Sequence, residues 1–372
     1  MEKLRSERSS NLELLRIVAM FIIIVHHCCY YGGFNPSDMP FSASKILIQS
    51  LSLGGFGINL FVLVSGYFMV STGFKMRRLV KTWLQIAFYS LFLFILMASF
   101  GAIQFDFISL IKAAIPVAFE QYWFATTYVI LICISPFLNI LIKAMNKRTH
   151  LILVLVLILL QSVLPTITTA KMAYADIAWF VALYFIAAYL RLYPNSLTMS
   201  LKKSLAILFC SMSFLVISVI FIDVLAINDA FFKNVGVYML AQNKLPMLIA
   251  SISMFLVFNN IKSLGSNKII NTIAGTTFGI YLIHDSSAFR VVLWRNIFRP
   301  DLFPNTLLLP VYIFAAAAFV FLIGMGIDFL RQYLLEKPMF FLYDNRCIRL
   351  KSFFARAGEK GNAIIDKISE YK

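Results

Sequence analysis

Charged residues are scarce in this chain, and cysteine is scarcer still. Of 372 residues, 13% are charged and 60% are hydrophobic, and the mean hydropathy is +0.83. Soluble domains are about half apolar and a quarter charged, so a soluble fold of this length would expose apolar side chains that it could not bury. The five cysteines form no CxxC pair, which argues against a disulfide framework or a cysteine metal site. The composition predicts a polytopic membrane protein.

Ten apolar stretches are long enough to cross a bilayer, which takes about 20 residues each. No small-residue cleavage site follows the first stretch, so we expect it to remain as the first span. The sequence therefore predicts an all-α bundle of about ten spans over residues 1–330, with a basic tail over 331–372. A less apolar piece, 101–121, is expected outside the hydrocarbon core, as an interfacial or re-entrant segment. The predicted spans are 12–31, 54–73, 82–100, 122–142, 151–169, 176–193, 204–223, 238–259, 272–290 and 306–329.

The basic residues are distributed unevenly among the loops of this bundle. The formal net charge is +16, which in a soluble protein would favour nucleic-acid binding. If the N-terminus is cytoplasmic, 24 of the 33 lysines and arginines fall in cytoplasmic segments and eight fall outside. This bias is typical of membrane topology. It predicts that both termini are cytoplasmic, that the tail lies on anionic membrane lipid, and that the protein does not bind nucleic acid.

Ionisable residues inside the first predicted span are the most informative functional signal. Arg16 lies about one turn from the cytoplasmic end, and His26 and His27 lie near the other end. His27 lies eleven positions after Arg16, which places the two on one helix face to within about 20° and about 16 Å apart along the axis. His26 is about 80° off that face. A snorkelling arginine and an interfacial histidine would explain the two residues separately. The shared face favours a functional site, because buried charge in a bilayer is costly.

The ninth predicted span contains a further histidine, His284, which should lie at a depth similar to that of His27. Two histidines at one depth suggest a shared site. Gly275 and Gly279 form a GxxxG pattern, which favours close packing against a neighbouring helix. Asp285 follows His284 but would point about 100° away from it on a helix, so a pair between these two neighbours is not expected.

A compact basic patch of Arg77, Arg78 and Lys81 follows the second predicted span. Topology alone would explain the patch, but arginine also supplies forked donors that suit phosphate oxygens. Glu120 and Trp123 begin the fourth predicted span at the external interface, where aromatic residues are common. The Glu120 carboxylate is expected near the level of the histidines.

Four segments together resemble the acyltransferase-3 family of integral membrane acyltransferases. LLRIVAMFIIIVHH resembles the family's pattern of an arginine, ten residues and a histidine, and this pattern selects Arg16 and His27. NLFVLVSGYFM, YWFATTYVILICISPFLN and FGIYLIH resemble three later segments of the family, in the expected order. The chain departs from the family after the second span, where Arg78-x-x-Lys81 replaces Arg-x-x-Arg with Arg77 beside it. Which of these cations acts is therefore left open.

The resemblance implies an O-acyltransferase of the bacterial cytoplasmic membrane. It would move an acyl group, expected to be acetyl, from cytoplasmic acetyl-CoA to a hydroxyl of a surface polysaccharide or lipid-linked glycan, without a metal ion. Arg77, Arg78 and Lys81 would hold the phosphates of acetyl-CoA. Arg16 would steer this donor or polarise its acyl group.

The same resemblance assigns the chemistry to the histidines. His27, or its neighbour His26, would act as a general base on the acceptor hydroxyl or would carry the acyl group as a transient nucleophile. His284 would orient His27 or the acceptor hydroxyl. The alternative function is a transporter or flippase of a glycan intermediate or acyl group, because intramembrane histidine and arginine also suit proton-coupled transport.

Overall fold

The structure is a computed structural model, and the residues that it describes are almost entirely helical. Within them the chain forms no β-strand, which confirms the predicted all-α fold. The described residues are 9–168, 174–194, 199–261, 264–303 and 307–341.

Fourteen α-helices follow one another along the described residues. They are α1 (Ser10–Tyr31), α2 (Ala43–Ser50), α3 (Gly54–Thr72), α4 (Met76–Ser99), α5 (Phe107–Ala114), α6 (Trp123–Ala144), α7 (Lys147–Ile158), α8 (Leu164–Thr168), α9 (Asp176–Leu192), α10 (Leu201–Asn228), α11 (Leu245–Asn260), α12 (Lys268–Ala274), α13 (Thr277–His284) and α14 (Leu309–Arg331). Short π-helical turns occupy Leu159–Val163, Val292–Phe298 and Gln332–Glu336, and 3₁₀ turns occupy Ala230–Asn234, Tyr238–Leu240 and Pro300–Leu302.

Eight helical segments among the described residues are long and apolar enough to cross a membrane. Each overlaps one of the ten predicted spans. The number of crossings and the side on which each terminus lies stay predictions. The eight segments are Ser10–Tyr31, Ala43–Thr72, Met76–Ser99, Trp123–Ala144, Lys147–Thr168, Leu201–Asn228, Ala230–Asn260 and Leu309–Phe341.

The sixth and ninth predicted spans are not among these eight segments. The sixth corresponds to α9, a continuous helix of 17 residues. The ninth is divided, because α12 ends before Gly275 and α13 begins after Thr276. Glycine followed by two β-branched threonines has low helix propensity. The expectation of one continuous ninth helix was therefore wrong, and Gly275 lies at the break.

Helix α3 packs against α1, α6, α9 and α11. Its glycines allow close approaches to two of these helices, α1 and α9. A Cβ atom on Gly57 would come within 2.6 Å of Ile23 in α1, and one on Gly66 would come within 3.1 Å of Ala187 in α9. Small residues let helix backbones approach closely in membranes. This packing fixes α1, which carries the candidate arginine and histidines, against the interior of the bundle.

Asn59 of α3 connects this helix to α9 and to the segment just before α11 through hydrogen bonds. Trp179 of α9 donates from Nε1 to Oδ1 of Asn59 over 2.9 Å. The Asn59 amide donates to the backbone carbonyl of Gln242, just before α11, over 2.8 Å. Hydrogen bonds between buried polar groups fix their geometry, because an unpaired polar group would be costly in an apolar interior. Asn59 therefore holds Gln242 beside the N-terminal part of α3.

The predicted interfacial piece contains the short helix α5. Its apolar side chains Phe107, Ile108 and Ile111 are exposed, and Lys112 lies in its last turn. This pattern is typical of a helix that lies on a membrane surface.

Residues 325–372 form a second compact unit, of which the structure describes 325–341. Helical structure continues through the predicted boundary at residue 330. Arg331 pairs there with Asp328 over 2.8 Å and with Glu336 over 2.9 Å. Most of the predicted basic tail, and the N-terminal cations before residue 9, lie outside the described residues.

Candidate active site

His27 of α1 and His284 at the end of α13 lie in direct contact. Nδ1 of His27 is 3.0 Å from Nε2 of His284, and the ring centroids are 5.1 Å apart. Both histidines are buried. The structure thus brings together the two histidines that the sequence placed at similar depth, even though the helix that carries His284 is shorter than expected.

The second ring nitrogen of His284 fixes the direction of this hydrogen bond. Nδ1 of His284 lies 2.6 Å from the carbonyl oxygen of Ile280, and a carbonyl oxygen can only accept, so Nδ1 carries a proton. The other nitrogen of a neutral imidazole is an acceptor, so His27 donates from Nδ1 to His284. This arrangement leaves a lone pair on Nε2 of His27, which is what a general base or a nucleophile requires.

Asp285 approaches His27 from the turn that follows α13. Its Oδ1 atom lies 4.0 Å from Nε2 of His27 and 3.5 Å from Nη1 of Arg290. The sequence indicated only that Asp285 would turn away from its neighbour His284, and it gave no sign of this contact across helices. Asp285 can stabilise a positive charge on His27 by Coulomb attraction, since both side chains are buried.

A cavity of about 650 Å³ opens beside His27, and we call it the histidine cavity. His284 does not line it. His26 lines it together with His27, but the His26 ring packs against Gly54 of α3 and makes no hydrogen bond to His284 in the described contacts. Glu120 is exposed and does not line the cavity, and its depth relative to the histidines stays a prediction. Other residues of the wall are Tyr31, Trp123, Asp176, Gln242 and Arg290.

A second cavity of about 310 Å³ lies beside Arg16, and we call it the cationic cavity. Arg78 and Lys81 line it as well, whereas Arg77 is exposed and does not. The structure therefore separates cations that the sequence had grouped. Arg16 pairs with Glu13 over 2.8 Å, and that carboxylate also faces the cavity.

The chain also matches one family model over most of its length. Residues 9–326 match the model of the acyltransferase domain of the acyltransferase-3 family. The protein belongs to the acyltransferase-3 family. No curated protein and no solved structure gave a match. Together with the eight apolar helices, the family identifies a membrane acyltransferase.

The acyltransferase-3 pattern of an arginine, ten residues and a histidine falls on residues that line two different cavities. Arg16 lines the cationic cavity, and His27 lines the histidine cavity. In this acyltransferase, the two motif residues of α1 therefore line different cavities. Within the described residues, no group of three or more His, Cys, Asp or Glu side chains is arranged to hold a metal ion.

Truncation of His284 should lower the turnover number, kcat, of the acyltransferase. The hydrogen bond from His27 orients the imidazole, and a neutral hydrogen bond contributes about 1 kcal/mol. We expect His284→Ala to lower kcat about fivefold, since each 1.4 kcal/mol corresponds to a factor of ten, and to leave KM for the acyl donor unchanged. Steady-state kinetics of the purified variant check this. A rise in donor KM at constant kcat would contradict the positioning role.

Proposed function

We propose that this acyltransferase moves an acetyl group from acetyl-CoA, bound at the cationic cavity, to a glycan hydroxyl in the histidine cavity. One observation carries the proposal: Arg16 and His27 lie towards opposite ends of one helix, α1, and line separate cavities. Arg16 and His27 are eleven residues apart, a rise of about 16 Å. This distance is a substantial part of a hydrocarbon core about 30 Å thick. The arrangement suits a donor and an acceptor that approach from different sides.

The cationic cavity suits the phosphates of the donor. Arg78 donates from Nη2 to the hydroxyl of Thr72 over 3.1 Å, which holds its guanidinium at the cavity wall. Lys81 lies one turn along the same helix and adds a second positive charge. The ion pair with Glu13 balances the charge of Arg16, so Arg16 is better suited to guide the uncharged arm of the donor than to hold its phosphates.

The histidine cavity suits the transfer step. In the direct route, Nε2 of His27 takes the proton of the acceptor hydroxyl while the oxygen attacks the thioester carbonyl. The C–S bond then breaks, and the thiol of CoA leaves with the proton that His27 gives up. Asp285 favours the transient imidazolium. In the covalent route, Nε2 attacks the thioester carbonyl first, the C–S bond breaks and CoA leaves as its thiolate. The hydroxyl oxygen then attacks the acetyl-imidazole, the C–N bond breaks, and the hydroxyl proton passes to the CoA thiolate.

Asp176 and Gln242 are suited to bind hydroxyl groups of the acceptor. Nε2 of Gln242 donates to Oδ1 of Asp176 over 2.9 Å, so the two side chains form one polar unit in the wall of the histidine cavity. Trp123 is partly exposed in the same wall. An aromatic face beside a carboxylate and an amide matches a sugar ring, which has both apolar faces and hydroxyl edges.

Changing the Asp176 carboxylate should therefore weaken binding of the acceptor and leave binding of the donor unaffected. We expect Asp176→Asn to raise KM for the glycan about tenfold, because hydrogen bonds to charged groups contribute about 1.5–3 kcal/mol, and to leave KM for acetyl-CoA unchanged. The matched control is Asp38→Asn, at an exposed aspartate in a loop. Initial-rate kinetics with each substrate varied in turn check the prediction. An equal change in both KM values would contradict it.

The localisation follows from the donor. Acetyl-CoA is cytoplasmic, so the cationic cavity would face the cytoplasm and the histidine cavity would face outward. The excess of lysine and arginine in the segments on the Arg16 side supports this orientation in a bacterial cytoplasmic membrane.

The proposed function is tested by incubating purified protein with acetyl-CoA labelled in its acetyl group and with polysaccharide isolated from cells that lack the protein. We expect the label to appear in alkali-labile esters on the polysaccharide. If no ester forms and the protein reconstituted in vesicles moves the label across the membrane, the protein is a transporter and the proposal fails. Mass spectrometry of surface glycans from cells with and without the gene identifies the acceptor.

A further inference from the structure

Five aromatic side chains lie between the two cavities. Phe124 and Tyr281 line the histidine cavity, and Phe61, Tyr128 and Phe278 line the cationic cavity. None of the described residues lines both cavities. The five side chains come from three helices, α3, α6 and α13. We call them the aromatic septum.

Four rings of the septum contact one another in a closed cycle. Phe124 lies 6.0 Å from Tyr128 and 5.3 Å from Tyr281, measured between ring centroids. Phe278 lies 6.1 Å from Tyr128 and 6.2 Å from Tyr281. Phe61 covers one side of this cycle, at 5.5 Å from Phe124 and 6.0 Å from Tyr128. These distances are those of packed aromatic pairs.

Polar contacts hold the septum at its edges. The hydroxyl of Tyr128 lies 3.3 Å from the hydroxyl of Ser65 in α3. The guanidinium of Arg16 lies over the ring of Phe61, 5.5 Å from its centroid. Phe61 and Phe124 are almost completely buried. The septum is therefore a packed barrier that has one face towards the cations and one face towards the histidines.

We propose that the acyl group and the thiol arm of the donor pass through this septum, and that its rings limit the size of the acyl group and keep water away from His27. This inference rests on the proposed function, since a donor held by Arg78 has to bring its thioester to the other cavity. A base that takes the proton of an acceptor hydroxyl also takes that of water. Exclusion of water is therefore needed if the thioester is to survive until an acceptor binds.

Smaller side chains in the aromatic septum should let water reach the thioester, so that hydrolysis competes with acyl transfer. His27 would take a proton from water, and the water oxygen would attack the thioester carbonyl. The C–S bond would break, and the thiol of CoA would leave with the proton from His27. The products would be the free carboxylic acid and CoA. A wider opening should also admit acyl groups longer than acetyl.

Phe124→Leu tests this proposal, because Phe124 contacts three of the other four rings. Its matched control is Phe137→Leu, at a phenylalanine of the same helix whose side chain is exposed. Purified proteins are incubated with acetyl-, butyryl- or octanoyl-CoA, with and without polysaccharide, and the release of CoA and of carboxylic acid is measured. We expect Phe124→Leu to raise the rate of hydrolysis relative to transfer about tenfold and to accept butyryl-CoA better, the size of effect that pocket volume gives in other enzymes. Phe137→Leu should behave like the original protein.

Three results would separate the possibilities. If Phe124→Leu transfers acetyl groups with unchanged hydrolysis and unchanged acyl preference, the septum proposal is wrong and the proposed function stands. If Phe124→Leu does not fold, Phe61→Leu on α3 is measured in the same way, with the same expectation and the same contradicting result. If the original protein neither transfers the acetyl group of acetyl-CoA nor hydrolyses it, both proposals fail.

Discussion

Replacing His27 with alanine is expected to lower acetyl transfer by about 10²–10⁴-fold, the range over which a positioned general base contributes. His27 lines the histidine cavity, and its Nε2 atom keeps a lone pair because Nδ1 donates to His284. A glycan hydroxyl is a poor nucleophile at neutral pH unless a base takes its proton. Imidazole fits this task because its unperturbed pKa is about 6.5. Transfer of labelled acetyl to polysaccharide by the purified variant measures the loss.

His26, the neighbouring histidine, provides the control for His27→Ala. His26→Ala removes an imidazole from the same helix and the same cavity, but one that packs on Gly54 and has no contact with His284 among the described interactions. We expect this variant to keep most of the activity. Full activity in His27→Ala would contradict the assignment, and loss only in His26→Ala would move the chemistry to the neighbour.

Labelling of the original protein and of His27→Ala distinguishes the direct route from the covalent route. Without an acceptor, the covalent route should leave a labelled acetyl group on the protein with one CoA released per molecule. The label should be absent in His27→Ala. No label on the original protein, with transfer intact, would favour His27 as a general base.

Replacing Arg78 with alanine is expected to raise KM for acetyl-CoA about 10–100-fold. Arg78 lines the cationic cavity and is held there by Thr72. A charge-assisted hydrogen bond to phosphate contributes about 1.5–3 kcal/mol, and each 1.4 kcal/mol is a factor of ten. Because the phosphates take no part in the transfer step, kcat should fall much less than the affinity. Initial rates over a range of acetyl-CoA concentrations measure both constants.

The adjacent arginine is the matched control for that experiment. Arg77 has the same chemistry and precedes Arg78 in the chain, but it is exposed and does not line the cationic cavity. We expect Arg77→Ala to leave KM within about twofold, because exposed charges interact weakly through water. An equal rise of KM in both variants would indicate a general effect of surface charge and would contradict a specific phosphate site.

Much of the site could be read from the sequence because it depends on the geometry of one long helix. The spacing of Arg16 and His27 follows from 3.6 residues per turn, and α1 is continuous over both. The depth of His284 was estimated by counting residues from the membrane boundary. The break in the ninth segment did not spoil this estimate, because it lies before α13, and α13 runs without a break to His284.

Other parts of the site depend on contacts between helices, which helix periodicity does not describe. Asp285 faces His27 only because α13 ends at His284 and the chain turns there. The difference between Arg77 and Arg78 depends on how the start of α4 lies against its neighbours. Asp176 and Gln242 come from distant segments and meet through a side-chain hydrogen bond. No sequence pattern marked Asp176 or Gln242, so only the structure could identify them as part of the site.

The central claim, transfer from a donor on one side of the membrane to an acceptor on the other, is tested most directly by the sidedness of the reaction. Purified protein is reconstituted in vesicles in one known orientation, with labelled acetyl-CoA on the side of the cationic cavity and polysaccharide on the side of the histidine cavity. The account predicts acetyl esters on the polysaccharide in this arrangement and none when the two compartments are exchanged. Esters that form only when donor and acceptor share one compartment would contradict it.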